Sequence, residues 1–159
     1  MTKLCIVFLV LFSSALSAQK QLPNLTLNTI DGGSAALQQD FAEKDKIYVF
    51  SFWATWCVPC IQELDEVNER LEDWKKEVNI EVVAVATDDS RTQKRVKPLV
   101  NGKGWGFKIL LDTNQDFKRY LSIANIPFTI VVKNGEIVHI QNGYVPGSEE
   151  ELFNKLKTL

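Results

Sequence analysis

The sequence predicts an α/β domain: a mixed β-sheet flanked by helices. Two observations carry this. Near-continuous apolar runs at Ile47–Trp53 and Ile80–Ala86 read as strands buried on both faces, and the stretch between them has helical periodicity, so together they form a βαβ unit. Further on, two β-prone runs flank Asn134-Gly135, the favoured dipeptide of a two-residue hairpin, and a helical pattern follows. A parallel unit followed by an antiparallel hairpin makes the sheet mixed.

The elements follow in order. Residues 24–30 and 34–37 flank Asp31-Gly32-Gly33 and read as a small hairpin, because Asp-Gly is a strong turn signal. Residues 38–46 are polar and read as a short helix or loop. After the strand at 47–53, Val58, Ile61, Leu64, Val67, Leu71, Trp74 and Val78 recur at alternating spacings of three and four, an amphipathic stripe. Acids crowd the first part of that helix (Glu63, Asp65, Glu66, Glu69) and Lys75-Lys76 end it, an order that suits the macrodipole. Residues 90–100 read as a helix that Pro98 should bend or end. Gly102, Gly104 and Gly106 mark a loop, 107–111 a strand and 114–121 a short helix. The hairpin pairs 128–133 with 136–141, and 148–159 is a terminal helix with Ser148 and Glu151 spaced as a capping box.

With 159 residues the chain is long enough for one domain with a sizeable core. A net charge of −2 argues against a nucleic-acid partner, and the Lys/Arg run at 91–97 reads as a solvated helix face. The N-terminus departs from the rest. Lys3 precedes an apolar run and then small residues up to Ala18, the pattern of a secretory leader over residues 1–18 with a domain at 19–159. The 13 residues from Leu4 to Leu16 would span about 20 Å as a helix, short of the ~30 Å hydrocarbon core. Export to the periplasm or another extracytoplasmic compartment is therefore expected, the competing reading being an uncleaved membrane anchor. Cys5 precedes the apolar run, which argues against a lipoprotein.

Removal of the leader would leave Cys57 and Cys60 as the remaining cysteines, in Trp56-Cys57-Val58-Pro59-Cys60 between a strand and a helix. Residues i and i+3 at a helix start lie about 5–6 Å apart, near the Cα separation that a disulfide needs. The first sulfur meets free N–H groups and the positive end of the helix dipole, which favours thiolate. Cys57 is thus the expected nucleophile, exposed at the helix N-terminus, and Cys60, inside the first turn, the resolving thiol. Half of a zinc site is the other reading, but zinc wants four N/S ligands and only His139 remains as another good one. His139 alternates with Val138 and Ile140 in a strand and reads as a surface side chain. No cofactor and no metal are expected. Glu63, three residues after Cys60, shares its helix face and is a candidate proton acceptor for that thiol; the alternative is a solvated first-turn acid serving the dipole.

Three separated pieces resemble the thioredoxin fold: the cysteine motif between strand and helix, Ile126-Pro127 before a strand, and Lys133-Asn134-Gly135-Glu136 followed by Gly143. The N-terminal hairpin, the central αβ insertion over 88–111, the segment Phe52-Trp53-Ala54-Thr55-Trp56-Cys57 and Glu63 are similar to the TlpA/ResA-like branch of exported bacterial thiol-disulfide oxidoreductases. Thioredoxins usually carry a buried aspartate where Ser51 stands and an apolar residue where Glu63 stands, so this chain moves the nearby acid from strand to helix. It departs from the branch at Ser51, often asparagine, at Asp65, often a kinking proline, and at Phe128, commonly threonine. Asp65 implies a straighter helix, and Phe128 an altered substrate groove.

The resemblance implies a cis peptide at Pro127 packed against the disulfide, an Ile126 backbone that pairs with an extended substrate strand, and Trp56 as the groove's apolar wall. Trp53 reads as core. It also implies protein thiol or disulfide substrates, apocytochrome c thiols among them, and a membrane electron donor. The Val-Pro dipeptide lacks a histidine to stabilise the thiolate, which favours a reductase over an oxidant. Three other classes stay open: a peroxiredoxin-like thiol peroxidase, though Thr55 lies two residues before Cys57 where that motif wants three; a non-catalytic binder; and a Cu(I)-binding dithiol protein.

Overall fold

The computed structural model describes residues 21–159. The leader expected over 1–18, and Cys5 with it, lie outside the described residues. The elements are β1 (Thr26–Thr29), β2 (Ser34–Ala36), α1 (Leu37–Asp40), β3 (Ile47–Trp53), α2 (Val58–Glu77), β4 (Ile80–Ala86), α3 (Val96–Lys103), β5 (Lys108–Leu111), α4 (Asp116–Tyr120), β6 (Phe128–Lys133), β7 (Glu136–Asn142) and α5 (Ser148–Leu156). A short 3₁₀ turn, Gln93–Arg95, precedes α3.

One sheet runs in the order β2-β1-β5-β4-β3-β6-β7. β3 and β4 are parallel, in register from Ile47↔Ile80 to Trp53↔Ala86, and β5 continues parallel to β4. β6 is antiparallel to β3, β7 to β6, and β1 to both β5 and β2. The sheet is mixed, as the sequence predicts. All seven residues of β3 are buried, the signature of a central strand covered on both faces.

The two faces sort by the period of two along β3. Ile47, Val49 and Trp53 point to the core under α2, α3 and α5, together with Leu64, Leu71, Trp74, Val100 and Leu152. Tyr48, Phe50 and Phe52 point to the other core, with Phe41 and Phe117. Edge-to-face ring pairs tie that second core together, among them Phe41–Phe50 at 5.0 Å and Phe52–Phe117 at 4.9 Å. Ser51 follows the same alternation, so its hydroxyl faces α2.

Three local expectations change, and one concerning Asp65 holds. The buried face of α2 begins with Cys60 and Glu63 and continues through Leu64, Val67, Leu71 and Trp74; Val58 is exposed and Ile61 only partly buried. The helix over 90–100 is instead the 3₁₀ turn followed by α3, and Pro98 sits in the first turn of α3, where the lack of an N–H costs nothing. Ser148 does not cap α5 with Glu151. The N-cap is Gly147 at φ 99°, Ser148 Oγ bonds back to Val145, and the Gly147 N–H donates to Glu149. Asp65 does leave α2 unbroken over 20 residues, and its carboxylate also accepts from Trp105 Nε1 at 2.9 Å and Lys103 Nζ at 2.6 Å. The insertion is thereby fastened to α2.

The hairpin turn is as expected. Lys133 pairs with Glu136 across Asn134 and Gly135, both at positive φ, which suits the twist of the strands. At that same end of the sheet Gln21 forms an antiparallel bridge to Glu136.

Candidate active site

β3 delivers the chain to one end of the sheet, where a tight turn redirects it into α2. The Cys57 N–H donates to the Ala54 carbonyl at 3.0 Å, and Cys57 is the N-cap of the helix. Pro59 lies in the first turn, so its missing N–H leaves no helical bond unmade. Cys57 and Cys60 are joined in a disulfide, with Cα atoms 5.3 Å apart. Cys60 is fully buried, as expected. Cys57 is 6% exposed and not the open thiol that the sequence suggests, because the turn folds it under the chain while Trp56 and Val58 on either side are 61% and 65% exposed. Two exposed apolar side chains, Trp56 and Val58, thus flank the buried Cys57.

Glu63 lies one turn after Cys60 and is 2% exposed. It is not a solvated first-turn acid. The register explains its surroundings. Ser51 on β3 pairs with Thr129 on β6, so two hydroxyls stand side by side on the face that α2 covers. Ser51 Oγ donates to Glu63 Oε2 at 3.2 Å and Thr129 Oγ1 donates to Oε1 at 3.1 Å. Burial is the largest influence and pushes the carboxyl from its ordinary 4.5 up to about 7; the two hydroxyl bonds partly oppose it. A carboxyl held near neutrality can take or give a proton at physiological pH.

The Ile126–Pro127 peptide is cis. It immediately precedes β6, whose first residue Phe128 pairs with Phe52, so it sits at the end of the sheet where α2 begins. The Gly143 N–H donates to the Pro127 carbonyl at 2.9 Å, with Gly143 at φ 83°, a conformation suited to glycine. Ile126 packs between the two cores and Phe128 is partly buried against the second. Trp53 is fully buried, as its reading as core requires, and meets Trp105 edge-on at 5.0 Å. His139 lies on β7, partly buried, away from the cysteines in sequence and on the sheet's edge strand.

Two groups of residues escaped the sequence reading. Thr129 completes the Glu63 pocket; the one available signal was its place two residues after Pro127 on a strand that must pair with β3. Thr87 and Asp88, both buried, follow β4 and hold the chain leaving β3. Thr87 donates through its N–H and Oγ1 to the Trp53 carbonyl, and Asp88 accepts from Thr55. Among the described residues no group of three or more His, Cys, Asp or Glu side chains is arranged to hold a metal ion, and no helix is long and apolar enough to cross a membrane.

Comparison with known proteins places this arrangement. A family model described as "AhpC/TSA family" matches residues 18–140. The "Thiol-disulfide oxidoreductase ResA" of Bacillus thuringiensis (strain Al Hakam) is 29% identical over 120 residues, covering 75% of this chain and 66% of that protein, so the match spans just under two thirds of the relative's length. The "Thioredoxin-like protein YneN" of Bacillus subtilis (strain 168) is 29% identical over 137 residues, 83% of this chain and 75% of that protein. Among solved structures, an uncharacterized thioredoxin-like protein from Porphyromonas gingivalis superposes with a TM-score of 0.76 at 37% identity, over 87% of this chain and 90% of the other. A putative thiol:disulfide interchange protein DsbE from Chlorobium tepidum gives a TM-score of 0.76 at 21% identity, over 88% and 95%, a likeness of fold. The fold is thioredoxin-like.

Proposed function

From membership of the AhpC/TSA family, to which this chain belongs, we propose that it is a thiol–disulfide oxidoreductase that reduces disulfides in proteins outside the cytoplasm. The observation that carries this reading is the Cys57–Cys60 disulfide at the head of α2 with a buried carboxyl, held near neutrality, one turn behind it.

The cycle starts from the dithiol. The Cys57 thiolate, favoured by the first-turn N–H groups and the helix dipole, attacks one sulfur of a client disulfide. The client's other sulfur leaves as a thiolate and takes a proton from water, and a mixed disulfide joins Cys57 to the client. Glu63, close to half ionised at neutral pH, accepts the Cys60 proton. The Cys60 thiolate then attacks the Cys57 sulfur, and the second client sulfur leaves. Two electrons have passed to the client, and the chain holds the disulfide seen here. A dithiol donor of matching potential must return them; in an oxidising compartment a membrane electron carrier suits that role. Trp56 and the cis-proline edge at Ile126 would receive the client as an extended segment. Exported proteins with apocytochrome c-type thiols are the proposed clients, following the TlpA/ResA-like resemblance.

A peroxidase reading fits the geometry less well. Thr55 Oγ1 donates to Asp88 at 2.6 Å, so that hydroxyl is committed away from the Cys57 sulfur. The test is trapping. Cys60→Ser should stall the mixed disulfide on Cys57 and carry the client with it, and Cys57→Ser should abolish insulin reduction. A single turnover in which the reduced parent protein converts peroxide to water and forms its own Cys57–Cys60 disulfide faster than it reduces a protein disulfide, or a reduction potential near about −120 mV, would overturn the reductase reading.

A further inference from the structure

The turn that presents Cys57 is held from outside itself. Ala54-Thr55-Trp56-Cys57 is closed by one bond, from the Cys57 N–H to the Ala54 carbonyl. That bond leaves the Thr55 N–H without a partner inside the turn. Asp88, 33 residues away in sequence and 1% exposed, accepts it on Oδ2 at 2.9 Å and takes the Thr55 hydroxyl on Oδ1 at 2.6 Å. Its predecessor Thr87 fastens the residue where the turn begins, bonding the Trp53 carbonyl through N–H at 2.8 Å and Oγ1 at 3.0 Å. Four hydrogen bonds from one dipeptide thus pin both ends of the short segment that leads into the disulfide.

We propose that Asp88 is a positioning residue for the thiol–disulfide reaction: its two-pronged grip on Thr55 fixes the turn that holds Cys57 at the helix N-terminus and turns Trp56 outward. Three features support this. The grip is bidentate, so it fixes orientation as well as distance. Both carboxylate oxygens are engaged by one residue, so the side chain has a single arrangement that satisfies it. The clamped residue stands two before the attacking cysteine and one before Trp56, so loss of the clamp acts on the sulfur's access and on its alignment with the first-turn N–H groups together.

The sign of the effect separates positioning from simple charge. A carboxylate that acted only as a nearby negative charge would disfavour the Cys57 thiolate, and its removal would increase thiolate at neutral pH. A positioning carboxylate does the reverse, because its removal takes Cys57 off the helix dipole. Asparagine at 88 keeps an acceptor for the Thr55 N–H, and its amide can donate to the Thr55 hydroxyl, so the geometry survives without charge.

The inference rests on Cys57 being the attacking thiol and is tested on the reduced protein by a reaction that needs no client. The pH profile of Cys57 alkylation is measured in a Cys60→Ser background for Asp88→Ala, Asp88→Asn, Thr55→Val and Thr55→Ser. The expected result is a Cys57 rate at pH 7 at least threefold lower in Asp88→Ala, with the profile moved to higher pH, and a smaller loss in Thr55→Val. Asp88→Asn and Thr55→Ser should stay within twofold of the parent. Faster alkylation in both Asp88 variants would overturn positioning in favour of charge, and profiles that all superimpose would reduce Asp88 to a structural role. If Asp88→Ala does not fold, the threonine pair decides: slower alkylation in Thr55→Val with Thr55→Ser at the parent rate supports positioning, and equal rates in the two overturn it. Insulin reduction by the unaltered protein is a separate arm, so failure of the oxidoreductase reading would show there and not in the alkylation series.

Discussion

Glu63→Gln should make the oxidised protein more stable at alkaline pH while leaving acid stability nearly unchanged. The carboxyl binds its proton more tightly in the fold, at about 7, than in the unfolded chain, near 4.5. Below about 4.5 both states hold the proton and the group contributes no pH dependence. Between the two values the unfolded chain releases its proton first, so stability falls as pH rises, and above about 7 the loss is complete. At about 1.4 kcal/mol per tenfold change in proton affinity, the gap amounts to about 3 kcal/mol. Glutamine matches the protonated form in shape, and the Ser51 and Thr129 hydroxyls can rotate so that one donates to its oxygen and the other accepts from its amide. The assay is urea unfolding of the disulfide form at a series of pH values from 4 to 8.5, with thiol titration excluded by the disulfide. The stability difference between variant and parent should grow by about 3 kcal/mol across that range. Curves that run parallel would refute the reasoning, since they would mean that Glu63 titrates alike in both states.

Other outcomes follow from the same structure. Thr129→Val removes a donor that opposes the burial of Glu63, so the carboxyl should titrate above about 7 by side-chain NMR, with about 1–2 kcal/mol of stability lost in unfolding. Asp65→Ala leaves the buried indole N–H of Trp105 without its acceptor and should lower the urea midpoint by the equivalent of about 1–3 kcal/mol at constant m. Phe117→Ala, which empties the centre of the second core, should lose about 3–5 kcal/mol by chemical unfolding. Trp56→Ala should raise KM for a protein disulfide more than it lowers kcat, because the exposed ring offers a client apolar surface without touching the sulfur chemistry.

Much of the fold was legible because its signals are local. The apolar runs of β3 and β4, the period of α2 and the Asn134-Gly135 turn each lie within a few residues of chain. The cysteine pair was legible for the same reason. The Glu63 pocket was only half legible. A glutamate on a helix is by default a solvated side chain, and its burial is decided by a strand register that sets Ser51 beside Thr129 across 78 residues of sequence. Asp88 gave no signal, since its partner Thr55 is reached through the parallel β3–β4 pairing. Ser148 misled because Ser-x-x-Glu spacing describes a capping box without guaranteeing one; Gly147 in the left-handed region started the helix one residue earlier.

The bridge between Gln21 and Glu136 also gives the molecule a polarity. β3 runs from Ile47 to Trp53, about 20 Å at ~3.3 Å per residue, and delivers the redox pair at its far end. Ile47 pairs with Lys133 and Lys133 with Glu136, so Gln21 stands at the opposite pole from the disulfide. A tether, solid support or fluorescent tag joined ahead of Gln21 would therefore hold the domain by its back, with the redox mouth facing outward toward whatever approaches.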